Sequence, residues 1–237
     1  EILGALPRVD CGGCGYAGCA SYAKAIAGNP NLIGKCAPGG DAVAGKIAKI
    51  LNLQISGGGY PLRPIIHCNA HTKDKTFRGK YQGINTCLAA NALANVQACK
   101  FGCLGSGDCV AVCKFNALKV VDGLAVVDYK KCTGCAACSY ACPRGLIEMV
   151  PFSQENMITV ACSSQENGKD TRQVCKVGCI GCGLCVKQSD LFKVENNYAK
   201  VDYKKYSPSQ ATETAMQKCP TKVILTRGPV INHNSAI

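Results

Sequence analysis

Two stretches of this chain carry short apolar runs broken by a two-residue turn. Leu118 to Val121 and Leu124 to Asp128 flank Asp122-Gly123, and Phe192 to Glu195 and Tyr198 to Asp202 flank Asn196-Asn197. Both patterns predict two-residue β-hairpins. Nearer the N-terminus the apolar spacing becomes helical. One helix is predicted from Ala20 to Ala27 and another up to about Leu51, with Asp41 as its N-cap and Val43, Ile47, Ile50 and Leu51 on one face. Gly57-Gly58-Gly59 with Pro61 and Pro64 predicts a flexible linker. No apolar run approaches the roughly 18 residues of a membrane span.

The hairpins belong to an internal repeat. Gly102-Cys103-Leu-Gly-Ser-Gly-Asp-Cys109 aligns without gaps on Gly178-Cys179-Ile-Gly-Cys-Gly-Leu-Cys185, ahead of each hairpin. Each hairpin ends in Val-Asp-Tyr-Lys-Lys, at 127–131 and 201–205, and each copy then reaches a Cys-Pro pair, Cys142-Pro143 and Cys219-Pro220. The predicted fold class is α+β. A small four-cysteine domain (1–52) and a linker (53–64) precede two bacterial-ferredoxin-like modules of βαβ-βαβ type, 65–152 and 153–228.

Composition turns this pattern toward metal. The chain has 20 cysteines in 237 residues and no tryptophan. Small units bury too little apolar surface to stabilise themselves, and bound metal supplies the missing free energy. An even cysteine count also suits a secreted disulfide framework. Runs of three cysteines two residues apart suit chelation better, and no signal peptide is visible. Thiolate ligands then imply a reducing compartment, the cytosolic side. The formal charge of +12 invites a nucleic-acid reading. A cubane with four thiolates carries about −2, so four of them remove roughly eight charges and leave about +4.

Cys132, Cys135, Cys138 and Cys142, closed by Pro143, have the C-x2-C-x2-C-x3-C-P spacing of a two-cluster ferredoxin. In that pattern three cysteines of a run hold one [4Fe–4S] cluster and the fourth crosses to the other. Cys113 then joins Cys132, Cys135 and Cys138, while Cys142 returns to the preceding run. That run lacks one ligand, because Ser106 stands where the second copy has Cys182. Cys99 is the expected substitute, giving Cys99, Cys103, Cys109 and Cys142, with Cys87 a weaker candidate. In the second copy Ser189 and Tyr206 replace the equivalents of Cys113 and Cys132, and no cysteine follows until Cys219. All four ligands of one cluster are missing together, leaving Cys179, Cys182, Cys185 and Cys219 for the other. The N-terminal unit adds Cys11, Cys14 and Cys19 at C-x2-C-x4-C, with Cys36.

These assignments give four clusters, within a range of three to five. Cys68, Cys87, Cys162 and Cys175 are left over. The repeat pairs Cys68 with Cys162 and Cys99 with Cys175, but without compact spacing the leftover four read as buried structural thiols, with a fifth cluster as the alternative. His67 and His71 beside Cys68 suggest zinc only weakly, and His233 in a polar tail is given no role. Nothing resembles a nucleophile with its base or a dinucleotide fingerprint, so no catalytic residue is expected.

The order of these units resembles the B subunit of the Rnf complexes. The specific pieces are Val9-Asp10-Cys11-Gly-Gly-Cys14-Gly-Tyr-Ala-Gly-Cys19, Ala98-Cys99-Lys-Phe-Gly-Cys103-Leu-Gly-Ser-Gly-Asp-Cys109, Val160-Ala-Cys162-Ser-Ser, and Val174-Cys175-Lys-Val-Gly-Cys179-Ile-Gly-Cys182. The resemblance covers essentially the whole chain. It implies an iron–sulfur subunit of a translocase moving electrons between ferredoxin and NAD, coupled to sodium or proton movement. The implied partners are other membrane and peripheral subunits and soluble ferredoxin as electron donor or acceptor, with no nucleic acid. The implied place is the cytoplasmic face of a bacterial or archaeal plasma membrane, with an N-terminal anchor expected ahead of Glu1. Ser189 and Tyr206 depart from the family pattern. The alternatives are a polyferredoxin subunit of a hydrogenase-type or heterodisulfide-reductase-type enzyme, and a zinc-binding nucleic-acid module.

Overall fold

The computed structural model describes residues 1–54, 60–93 and 96–229. The linker glycines Gly57 to Gly59 and His233 lie outside them. At the N-terminus, α1 (Ile2–Ala5), α2 (Cys19–Gly28) and α3 (Gly40–Ile50) pack around Leu6, Tyr22, Ile26 and Ile47. The Tyr22 hydroxyl donates to Leu32 O at 2.8 Å and accepts from Lys35 N at 3.1 Å, which ties the Cys36 loop to α2. Gly39, not Asp41, caps α3, and Asp41 lies in the first turn, where its carboxylate meets the positive end of the helix dipole. The cause is local. Gly39 N and Gly40 N both bond Cys36 O, so a turn closing on Cys36 runs straight into the helix.

The strands form four two-stranded antiparallel sheets. β1 (Leu62–Ile66) pairs with β4 (Ile147–Pro151), and the hairpin β2 (Leu118–Val121)/β3 (Leu124–Val127) lies between them in sequence. The second copy repeats this, with β5 (Met157–Val160) on β8 (Ile224–Arg227) and the hairpin β6 (Phe192–Glu195)/β7 (Tyr198–Val201). Short helices carry the cysteine loops: α4 (Cys87–Asn91), α5 (Asp108–Ala111), α6 (Ala137–Ala141), α7 (Gly168–Val174) and α8 (Gln210–Lys218). Pro64 lies inside β1 rather than in a linker, and a two-stranded sheet leaves it on an edge strand, where proline is tolerated.

The repeated Val-Asp-Tyr-Lys-Lys has the same job twice. Asp128 and Asp202 accept from the backbone two residues on, at 3.0 and 3.1 Å. Tyr129 OH bonds Pro64 O at 2.9 Å and Tyr203 OH bonds Ile158 O at 3.3 Å, so each tyrosine anchors its hairpin to the first strand of its copy. Both tyrosines also pack against Ile65, Val150, Phe152 and Met157, a core drawn from both copies.

The predicted hairpins form, with all four turn residues at positive φ, as a type I′ turn requires. Gly105 and Gly181, equivalent in the repeat, have φ of +79° and +63°, and a Cβ on either would collide with the turn carbonyl of Gly123 or Asn197. Gly181→Ala is therefore expected to cost at least about 1–2 kcal/mol from backbone handedness, before the turn is displaced. A lower thermal midpoint of the cluster-loaded protein, matched by Gly105→Ala, is the check; unchanged midpoints would refute the packing role.

Candidate metal centres

The cysteines gather around separate cavities. Cys36 lies among Cys11, Cys19 and Cys14, in the turn that opens α3. Cys113, Cys132, Cys135 and Cys138 line a second cavity under β2 and α6. Cys142 lies apart from the other three of its run and lines a third cavity, with Cys103 and Cys109. Cys179, Cys182, Cys185 and Cys219 line another, between the second hairpin and the end of α8.

The fourth sulfur of the third cavity is Cys87, and Cys99 lies elsewhere. The expected grouping of Cys99 with Cys103, Cys109 and Cys142 is thus not what the fold assembles. The reason is Asp108, whose carboxylate accepts from Cys87 N at 2.7 Å and Leu88 N at 3.0 Å. It staples the start of α4 beside Cys109, the next residue along. The second copy has Leu184 at the Asp108 position, so the exchange of Leu for Asp where Ser106 replaces a cysteine was the available signal.

Cys99 instead lines a cavity with Cys68, Cys162 and Cys175. Two of these come from each copy of the repeat, and a bridge between Lys75 and Cys175 holds the copies together there. Sequence spacing could not reveal the set, because its members are scattered over more than a hundred residues and meet only when the copies dock. His67 takes no part as a ligand. Its ring nitrogens bond Val160 O at 2.9 Å and Glu148 at 2.8 Å.

All 20 cysteines fall into five sets of four, and the sets stand in a row. Cys11 is close enough to Cys135 to raise its pKa, the backbone at Gly13 leaves no room for a Cβ against Cys135 O, and Lys114 Nζ bonds Asp10 O at 2.6 Å. Cys138 acts in the same way on Cys109. Cys103 N donates to Cys68 Sγ at 3.4 Å, and the Cys179 N–H reaches Cys162. The N-terminal set and the Cys179 set are the two ends.

Burial raises these thiols. Cys109, Cys138 and Cys162 are pushed up to about 12 and Cys68 and Cys185 to about 11, first by burial. Neighbouring thiols add to the rise in every one of them. Iron must displace these protons, so loading the sites releases protons and is favoured by raising the pH. Backbone N–H groups already point at sulfur: Ala117 at Cys113, Leu146 at Cys142, Ser164 at Cys162 and Ala199 at Cys179, at 3.3–3.4 Å. Such donors stabilise negative charge on sulfur. Arg144 bonds the carbonyls of Cys99 and Gly102 at 2.9 and 2.6 Å, placing a cation between two sets.

The donor sets fit iron–sulfur clusters rather than single ions. Among the described residues no three His, Cys, Asp or Glu side chains converge tightly enough for one metal ion. Tetrahedral zinc would hold its sulfurs about 3.8 Å apart, given Zn–S bonds of about 2.3 Å. In the cavity of Cys68, Cys99, Cys162 and Cys175, the Gln97 side chain is 3% exposed with neither its nitrogen nor its oxygen partnered. An orphan buried amide is costly, and an anionic cluster in that cavity gives its N–H an acceptor.

A family model described as "Putative Fe-S cluster" matches residues 6–38, and one described as "4Fe-4S binding domain" matches residues 125–148. The B subunit of the proton-translocating ferredoxin:NAD+ oxidoreductase complex of Clostridium ljungdahlii is 40% identical over 230 residues, 92% of this chain and 78% of its own length. The B subunit of the ion-translocating oxidoreductase complex of Methanosarcina acetivorans is 35% identical over 231 residues, 96% of this chain and 85% of its own length. The chain belongs to this family of Rnf-complex B subunits. The B subunit of the Na+-translocating ferredoxin:NAD+ oxidoreductase complex of Acetobacterium woodii is 37% identical over 227 residues, 94% of this chain and 66% of its own length. As a member of this family, the chain is an iron–sulfur electron-transfer subunit of a multi-subunit oxidoreductase complex. Among the described residues no helix is long and apolar enough to cross a membrane.

Proposed function

We propose that this chain is the electron-carrying subunit through which a membrane-associated, ion-translocating complex exchanges electrons between soluble ferredoxin and NAD. The supporting observation is the row of five four-sulfur sets in one chain. Each set is a ligand group for one [4Fe–4S] cluster, five clusters in all, and no residue of the chain does bond-making chemistry. Bound clusters supply one-electron chemistry at low potential. The protein supplies position and a dry setting. Cys103, Cys109, Cys138, Cys162, Cys179, Cys185 and Cys219 are buried, and Arg144 and Lys75 bring cationic charge against the anionic sites.

The chain reads as a four-cysteine domain over 1–52 and two ferredoxin-like modules, 65–152 with two clusters and 153–228 with one, while the fifth cluster is shared between the modules. Its place is the cytoplasmic face of the membrane, beside the other subunits, where soluble ferredoxin is available. NAD chemistry and ion movement belong to partner subunits.

The test is direct. Anaerobically purified protein is expected to hold about 20 iron and about 20 acid-labile sulfide per chain, at four of each per cluster. Reduced ferredoxin is expected to bleach its visible absorption. A colourless zinc protein, or a full complement of clusters that ferredoxin leaves oxidised, would overturn the reading.

A further inference from the structure

The row of cysteine sets has an open end in the second copy. Cys182 is the one exposed cysteine among the described residues. Leu184 and Val194 line the same cavity and are themselves 39% exposed, and Val186 beside them is 42% exposed. An apolar rim thus surrounds a sulfur that water reaches. Beyond it no further sulfur stands, because the positions that carry a second cluster in the first copy hold Ser189 and Tyr206 here.

The charge around this rim leans positive. Glu195 and Asp202 are taken by Lys200 at 2.9 Å and Lys193 at 3.1 Å. Lys187, Lys218 and Lys222 are exposed and make no ion pair among the described residues. Against these three, segments 183–194 and 210–222 offer only Asp190 and Glu213 as further acids. Unpaired lysines that outnumber the acids beside an apolar centre favour an acidic protein, steering its approach by charge and seating it by contact.

We propose that the face around Cys182, with Leu184, Val186 and Val194 at its centre and Lys187, Lys218 and Lys222 on its rim, is the docking surface for a small acidic iron–sulfur protein. It rests on the ferredoxin exchange proposed above and names where that exchange takes place.

The probe is a bacterial two-cluster ferredoxin, oxidised for calorimetric binding and reduced for stopped-flow bleaching, with the cluster-loaded chain at low and high salt. Lys187→Glu with Lys218→Glu is expected to weaken low-salt binding about tenfold and to flatten its salt dependence. Iron content, visible spectrum and bleaching by dithionite should stay as in the wild type. Ile84→Asp, at an exposed apolar position of the first copy, is the control and should leave ferredoxin binding unchanged. Undiminished binding by the double lysine variant, or a loss confined to Ile84→Asp, would overturn the surface while leaving ferredoxin exchange standing. Wild-type protein that neither binds nor is bleached by ferredoxin would overturn both. Wild-type binding to phosphatidylglycerol vesicles, lost in the lysine variant while ferredoxin binding persists, would reassign the face to the membrane.

Discussion

Cys175→Ala is expected to lower iron from about 20 to about 16 per chain, with the remaining clusters intact. By its sequence spacing Cys175 is a stray thiol, and replacing a stray partly buried cysteine would cost about 1 kcal/mol of stability and no iron. The fold instead puts Cys175 in the wall of a cavity with Cys68, Cys99 and Cys162, beside the orphan amide of Gln97. With three sulfurs left, that set cannot close a four-ligand site. Because the set stands next to the Cys179 end of the row, where ferredoxin is proposed to dock, ferredoxin is then expected to bleach only a minority of the visible absorption that dithionite still bleaches. Cys87→Ala gives an independent check, since Cys87 completes the set of Cys103, Cys109 and Cys142. Both variants at full iron would restore Cys99 to the Cys103 set and dissolve the fifth site. Cys99→Ala cannot decide, because either grouping loses four irons with it.

Local chemistry in this chain was legible wherever ligand and turn were close in sequence. The hairpins, α2 and the crossing of Cys142 away from its own run follow from spacings of a few residues, and the structure places each accordingly. What escaped was every feature made by docking. Cys99 lies four residues from Cys103, yet the turn at Lys100 to Gly102, held by Arg144, aims it at the other copy. Cys87 lies sixteen residues from Cys103 and is brought back by the carboxylate of Asp108, a contact with no spacing signature. The cap of α3 was misplaced for a smaller reason: Asp is a better N-cap than Gly in isolation, but the turn over Cys36 fixes the helix start at Gly39.

Tyr206→Ala is expected to destabilise the second copy by about 3 kcal/mol or more while leaving iron unchanged, the reverse of the cysteine variants. The repeat aligns Ser189, Tyr206, Ser209 and Thr212 on Cys113, Cys132, Cys135 and Cys138. A set that has lost all its sulfurs must fill the space a cluster would occupy, and the structure shows how. Ser189 Oγ lies 3.4 Å from Thr212 Oγ1, the two hydroxyls satisfying each other where two ligands would stand, and Thr212 is fully buried. Ser209 caps α8, which is nine residues long where α6 is five, so helix replaces ligand loop. Tyr206 lies over the shared core with its ring near Tyr203, and its hydroxyl accepts from Ile158 N at 2.7 Å. Burial accordingly pushes its pKa up. Truncation to alanine removes the ring and leaves the Ile158 N–H in β5 without its partner. Tyr206→Phe keeps the ring and isolates the second loss, expected at about 1–2 kcal/mol. Urea unfolding of the cluster-loaded protein gives both values, and iron analysis on the same samples separates the roles. Iron lost from Tyr206→Phe would mean that this region still supports a cluster; iron retained with stability lost means that packed side chains have taken over the work of one.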